Sequence, residues 1–133
     1  MVRENTFRCT VVTPERPVLD VAANFVALPA HDGEIGILHN RAPLLAKLGI
    51  GVLRVETGGE KHLLYVDGGF AQIVHNRLTI LTEQAKKAEE IDAKAANQKL
   101  VEAKAMPAHT PEAVEQRSRE IKRANIQLQL AKR

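Results

Sequence analysis

Arg77-Leu78-Thr79-Ile80-Leu81-Thr82-Glu83-Gln84-Ala85-Lys86-Lys87-Ala88-Glu89-Glu90 holds the change of texture that decides the fold. Up to Thr82 the chain alternates apolar and β-branched residues, the pattern of a half-buried strand. From Glu83 to Ala105 it is dominated by Ala, Glu, Lys and Gln, without Gly or Pro, a run of strong helix formers. The chain therefore divides into a β-rich part, 1–83, and a helical part, 84–133.

Working back from Thr82, short strand-like runs recur between turn signals. Phe7–Val12, Val18–Val21, Asn24–Pro29, Ile35–Leu38, Ile50–Glu56, His62–Val66, Phe70–Val74 and Leu78–Thr82 are rich in β-formers. Thr13–Pro17, Ala30–Glu34, Thr57–Glu60, Asp67–Gly69 and His75–Arg77 carry the Gly, Pro, Asn and Asp chemistry of turns. Such spacing predicts a sandwich or barrel, and no helix intervenes to build parallel βαβ units.

Working forward, Ile91, Ala95, Ala96, Leu100 and Ala103 form a narrow apolar stripe. Met106–Pro111 interrupts it, with Thr110 as N-cap and Pro111 at the first helical position. Ala113 or Val114, Arg117, Ile121, Ala124, Leu128 and Ala131 then recur at three-to-four spacing. The expectation is an αα-hairpin. Its mostly alanine stripe buries little apolar area, so the hairpin is a loosely held, movable arm beside a firmer β-domain.

The four aromatics, Phe7, Phe25, Tyr65 and Phe70, all precede the change. Charge is uneven in the opposite sense. Residues 1–82 carry eight Lys/Arg and eight Asp/Glu, whereas residues 83–133 carry eleven and eight, a net of +3. Within 117–133, Arg117, Arg119, Lys122, Arg123, Lys132 and Arg133 stand against Glu120 alone, which calls for an acidic partner.

Catalytic chemistry is missing. His31, His39, His62, His75 and His109 show no metal-ligand spacing, and the one cysteine, Cys9, lies in an apolar alternating run, where it reads as a small buried hydrophobe. No phosphate loop or GxGxxG is present, and Ser118, the sole serine, sits in a predicted helix. No stretch approaches the ~18 apolar residues of a membrane span. Met1–Arg8 has no hydrophobic signal core, so a soluble protein in a reducing compartment is expected. The basic tail lacks the stacking aromatics of a nucleic-acid binder. An enzyme is not expected, nor is a cofactor or metal.

Gly33-Glu34-Ile35-Gly36-Ile37-Leu38-His39-Asn40-Arg41-Ala42-Pro43-Leu44-Leu45 resembles the signature loop of ATP synthase epsilon subunits. Gly49–Val55, Tyr65–Phe70 and Val74–Leu81 follow in the family's order and spacing, and the helical tail agrees. The resemblance implies an N-terminal antiparallel β-sandwich of about ten strands (1–83), followed by a C-terminal antiparallel two-helix hairpin (84–133). It further implies a non-catalytic rotor subunit of a proton- or sodium-translocating synthase, peripheral on the cytoplasmic face of the bacterial inner membrane, with the membrane reached only through the complex. Its implied partners are the gamma subunit, the c-ring and the beta subunits.

By this resemblance Glu34 and Arg41 face the polar loops of the c-ring, with Gly33, Gly36 and Pro43 keeping that loop tight. Arg117, Arg119, Lys122 and Arg123 would meet an acidic stretch of beta when the arm extends, blocking hydrolysis. Some relatives bind ATP on the folded hairpin through Ile/Leu-Asp-x-x-Arg-Ala. Here that stretch is Ile91-Asp92-Ala93-Lys94-Ala95-Ala96, with Ala95 in the arginine position and Lys94 about 100° round the helix. Ile91 and Asp92 remain, and weak binding or none is expected. The alternative is a free-standing β-sandwich binding module for an acidic protein or a nucleotide.

Overall fold

A computed structural model describes residues 5–132. Residues 1–4 and 133 lie outside it, and with them part of the leader reading and the last cation of the basic tail. The described residues form two units, one running to Lys87 and one starting at Ala88.

The first unit contains eight strands: β1 Phe7–Val12, β2 Pro17–Ala23, β3 Phe25–Ala30, β4 Gly33–Ile37, β5 Leu44–Thr57, β6 Glu60–Val74, β7 Arg77–Leu81 and β8 Ala85–Lys87. Their order is β2-β1-β7-β6-β5-β3-β4, with β8 on β6. Every pair is antiparallel except β1 and β7, which run parallel after the chain has crossed the sandwich.

The two longest strands make the sandwich. In β5 the buried positions are Ala46 and Leu48, then Gly51, Leu53 and Val55. In β6 they are Leu64 to Val66, then Ala71 and Ile73. Core-facing parity thus flips from even to odd along both strands, between residues 48 and 51 and between 66 and 71. Yet the pairing register holds throughout, from Leu44↔Ile73 to Thr57↔Glu60. A strict two-residue period cannot change faces without a break, and here the break is a bend at which the doubled ribbon passes from one layer to the other. β6 pairs with β8 before the bend, at 64–66, and with β7 after it, at 70–74. Counting each long strand twice recovers the expected ten. Asp67–Gly69, which separates two strand-like runs in the sequence, is the bend inside β6, so the two runs are one strand.

Leu28, Ile37, Leu53, Leu64, Val66, Ile73, Leu78 and Ile80 lie in the closed core. Cys9 is fully buried with them, and burial pushes its thiol up to about 12, so it is no thiolate nucleophile at neutral pH. Two tight hairpins have the turn geometry their residues suggest. Gly58 and Gly59 join β5 to β6 with φ of 58° and 88°, and His75 and Asn76 join β6 to β7 with 52° and 59°.

The helix expected from Glu83 begins later. Ala85–Lys87 is a strand, with Ala85 buried in the sandwich core, and only a 3-10 turn, Ala88–Glu90, precedes α1, Ala93–Lys104. Helix propensity is worth a few tenths of a kcal/mol per residue, less than satisfying the strand edge that Leu64–Val66 would otherwise leave open. In the second unit α2, Pro111–Ala131, follows α1 after a short loop. Thr110 Oγ1 accepts from Ala113 N at 3.1 Å, with Pro111 in the first turn. The buried line of α2 is Ala124, Gln127 and Leu130; the apolar stripe read from the sequence passed over Gln127 and Leu130 and took Leu128 and Ala131 in their place.

Candidate functional site

Among the described residues no group of three or more His, Cys, Asp or Glu side chains is arranged to hold a metal, and no helix is long and apolar enough to cross a membrane. The perturbed acid in the sandwich is structural. Arg8 Nε donates to Asp20 Oδ1 at 2.6 Å across the β1–β2 pair, and this hydrogen bond holds the Asp20 carboxyl below its usual range.

Glu34 lies near the start of β4, exposed and paired in register with Pro29. Arg41 is exposed in the 38–43 connection that follows β4. The rest of β4, about 10 Å of rise, separates Glu34 from the start of that connection. What Arg41 does meet is the β6–β7 turn: Asn40, Arg41, Ala42, Pro43, His75 and Asn76 line one open cleft of about 560 Å³. Sequence reasoning quoted both segments but did not join them. The shared signal was Asn at positions that adopt left-handed φ, 61° at Asn40 and 59° at Asn76.

A second feature escaped the sequence reading. Phe70 and Leu81 pair across β6 and β7 and are 51% and 53% exposed. With Val12, Pro14, Gly69 and Thr82 they line an apolar depression on the outer face. Alternation carries this signal: Ala71 and Ile73 point inward, so Phe70 points out.

The four cations assigned to the arm divide in two. Arg117 is half-buried and donates through Nε and Nη2 to the Lys104 carbonyl, at 3.3 and 3.1 Å, satisfying the C-terminal turn of α1. Arg123 is half-buried and pairs with Glu120 at 2.7 Å. Arg119 and Lys122 are exposed, although Arg119 also pairs with Glu115 at 3.2 Å. The cationic excess of 117–132 is thus partly met within its own helix, by Glu115 on Arg119 and Glu120 on Arg123.

Asp92 is the N-cap of α1: its Oδ1 accepts from Lys94 N at 2.9 Å and Ala95 N at 3.4 Å. Ile91 is half-buried and Ala95 exposed. The carboxylate of the ATP-binding pattern is occupied by its own helix, and no guanidinium stands at position 95. Calorimetry with ATP on the full chain is expected to show no site tighter than micromolar, about 8 kcal/mol; a nanomolar isotherm would show other donors replacing the missing arginine.

The ATP synthase delta/epsilon chain β-sandwich domain matches residues 6–88. The ATP synthase epsilon chain of Rhodopirellula baltica is 42% identical over 127 residues, 96% of this chain and 99% of its own length. That of Nitratidesulfovibrio vulgaris is 43% identical over 89 residues, 67% of this chain and 66% of its own. A chain in the cryo-EM structure of the Euglena gracilis mitochondrial ATP synthase OSCP/F1/c-ring superposes with a TM-score of 0.83 at 24% identity, covering 96% of this chain and 82% of that one. A chain of the Tetrahymena thermophila mitochondrial central stalk and c-ring superposes at 0.71 and 12% identity, over 93% and 95%. At these identities the superpositions speak for the fold.

Proposed function

The chain belongs to the ATP synthase delta/epsilon family, and on that premise we propose that it is the central-stalk epsilon subunit, non-catalytic, coupling gamma to the c-ring and restraining ATP hydrolysis through its hairpin. The observation that carries the reading is the match to an epsilon chain over 127 residues, hairpin included and not the sandwich alone.

Each part of the molecule supports a role. The cleft beside Arg41 offers a polar end to the ring loops. The exposed Phe70–Leu81 pair offers gamma an apolar contact. The hairpin, with small residues such as Ala96, Ala103 and Ala124 among its buried positions, can be rearranged at low cost. Its exposed cations, Arg119 and Lys122, suit an acidic stretch of beta. The subunit would sit peripherally on the cytoplasmic face of the membrane, held there by the complex.

Two measurements test this. Tagged chain should co-purify with gamma; if gamma is not retained, the free-standing binding module takes over as the reading. In the reconstituted complex, reversing Arg119→Glu and Lys122→Glu should weaken inhibition of hydrolysis about threefold to tenfold, since exposed pairs contribute about 0.2–1 kcal/mol each, and inhibition should also decline with salt. These two residues are better targets than Arg117 and Arg123, which are half-buried against the hairpin. Unchanged inhibition would mean that charge on this face plays no part.

A further inference from the structure

We infer that the β6–β7 turn is the second half of the ring-facing site, and that Asn76 is a positioning residue that holds the 38–43 connection, and with it Arg41, in its docking shape. This rests on Arg41 as a ring contact.

The connection between β4 and β5 has no strand or helix of its own, and Leu38, Arg41, Ala42 and Pro43 are all exposed. Its shape must come from bonds to something else. Asn76 supplies them from 36 residues away: its Oδ1 accepts from the Asn40 backbone N–H, and its Nδ2 donates to Asn40 Oδ1 at 3.0 Å. The backbone donor determines which end of the Asn76 amide faces it, and the other end then meets the Asn40 oxygen, so the two contacts support one orientation. Both residues hold left-handed φ, 61° and 59°, which side chains other than Gly, Asn and Asp adopt at a cost of about 1–2 kcal/mol. The pair is therefore a brace between two left-handed corners. Arg41 is the next residue after Asn40, so the direction in which its guanidinium leaves the loop follows from the brace. His75 lines the same cleft and adds an imidazole to that end. A loop held in advance loses less entropy when it docks.

Asn76→Gly separates the brace from the turn. Glycine takes φ of 59° without strain, so the hairpin persists while the amide is removed. The full-length chain is used throughout. The melting temperature should stay within a few degrees of the parent, and the Asn40 amide should exchange with solvent at least ~10-fold faster. Binding to the detergent-solubilised c-ring carrying gamma should weaken about tenfold, as it should for Arg41→Ala. The double variant should bind no more weakly than Arg41→Ala, because Asn76 acts through Arg41; independent contacts would add. An Asn40 amide that exchanges as in the parent overturns the brace. Parent-like binding by Asn76→Gly, with Arg41→Ala still weakened, overturns the positioning role and leaves the ring contact standing. Parent-like binding by Arg41→Ala removes the ring contact itself, and this inference with it.

Discussion

Gly69→Ala is expected to destabilise the sandwich by about 3–6 kcal/mol, much of the ~5–15 kcal/mol that holds such a domain together. A Cβ at Gly69 would lie 1.9 Å from the Leu81 carbonyl oxygen and 2.8 Å from the Thr82 Cα, both backbone atoms that cannot swing aside. The residue also has φ of 103°, where a side chain costs a further 1–3 kcal/mol or so. The position is not replaceable by a nearby bend. It lies at the change of parity in β6, opposite Leu48, where the ribbon passes between layers. Gly58→Ala is the control, because its φ of 58° is also left-handed but nothing lies within 4 Å of the added atom; about 1–2 kcal/mol is expected there. Urea unfolding of both variants measures the difference. Equal midpoints would mean that the close approach to Leu81 relaxes freely.

A chain ending at Lys87 is expected to fold, and one ending at Glu83 to be less stable by about 2–4 kcal/mol. The longer fragment keeps β8 on β6, the burial of Ala85, and the bond from Asp67 N to the Gln84 carbonyl at 3.2 Å. The shorter one loses these and leaves the backbone of Leu64–Val66 without its outer partner. A net hydrogen bond contributes about 0.5–1.5 kcal/mol, and an open edge invites association. On the function proposed above, the 1–87 fragment should still bind gamma and the ring in the assembled complex, while restraint of hydrolysis is lost. Circular dichroism and denaturant titration separate the two lengths. If they unfold at the same midpoint, β8 contributes nothing. If the 1–87 fragment is unfolded, the sandwich does not stand without residues beyond it.

Much of the candidate site was legible in the residues, piece by piece. The 33–45 stretch and the 74–81 stretch were both singled out for family likeness. Their meeting through Asn40 and Asn76 was not, because a contact between residues 36 apart leaves no periodic trace. The arm cations were correctly found on a helix, but net charge over a window did not reveal that Arg117 caps α1 or that Arg123 faces Glu120. Those pairings depend on helix phase and on where α1 ends. Phe70 was placed in the β-rich part without a face, and alternation with the buried Ala71 and Ile73 turns it outward.

By itself the sequence determined the division into a β-rich part and a helical hairpin, the Thr110–Pro111 helix start, the Gly58–Gly59 turn and the burial of Cys9. These are local matters of period, cap and turn chemistry, written in residues that stand next to one another. Only the tertiary structure decided three things. Ala85–Lys87 became a strand against local helix propensity, because an edge of β6 needed a partner. Asp67–Gly69 became a bend inside one strand rather than a break between two, because β5 continues in register alongside it. The 38–43 connection that carries Arg41 was tied to the β6–β7 turn, through Asn40 and Asn76. In the two strand cases the free energy of satisfying backbone groups across the sheet outweighs a preference of a few tenths of a kcal/mol per residue, and in the third a side-chain amide holds a loop; all three depend on partners the local sequence does not contain.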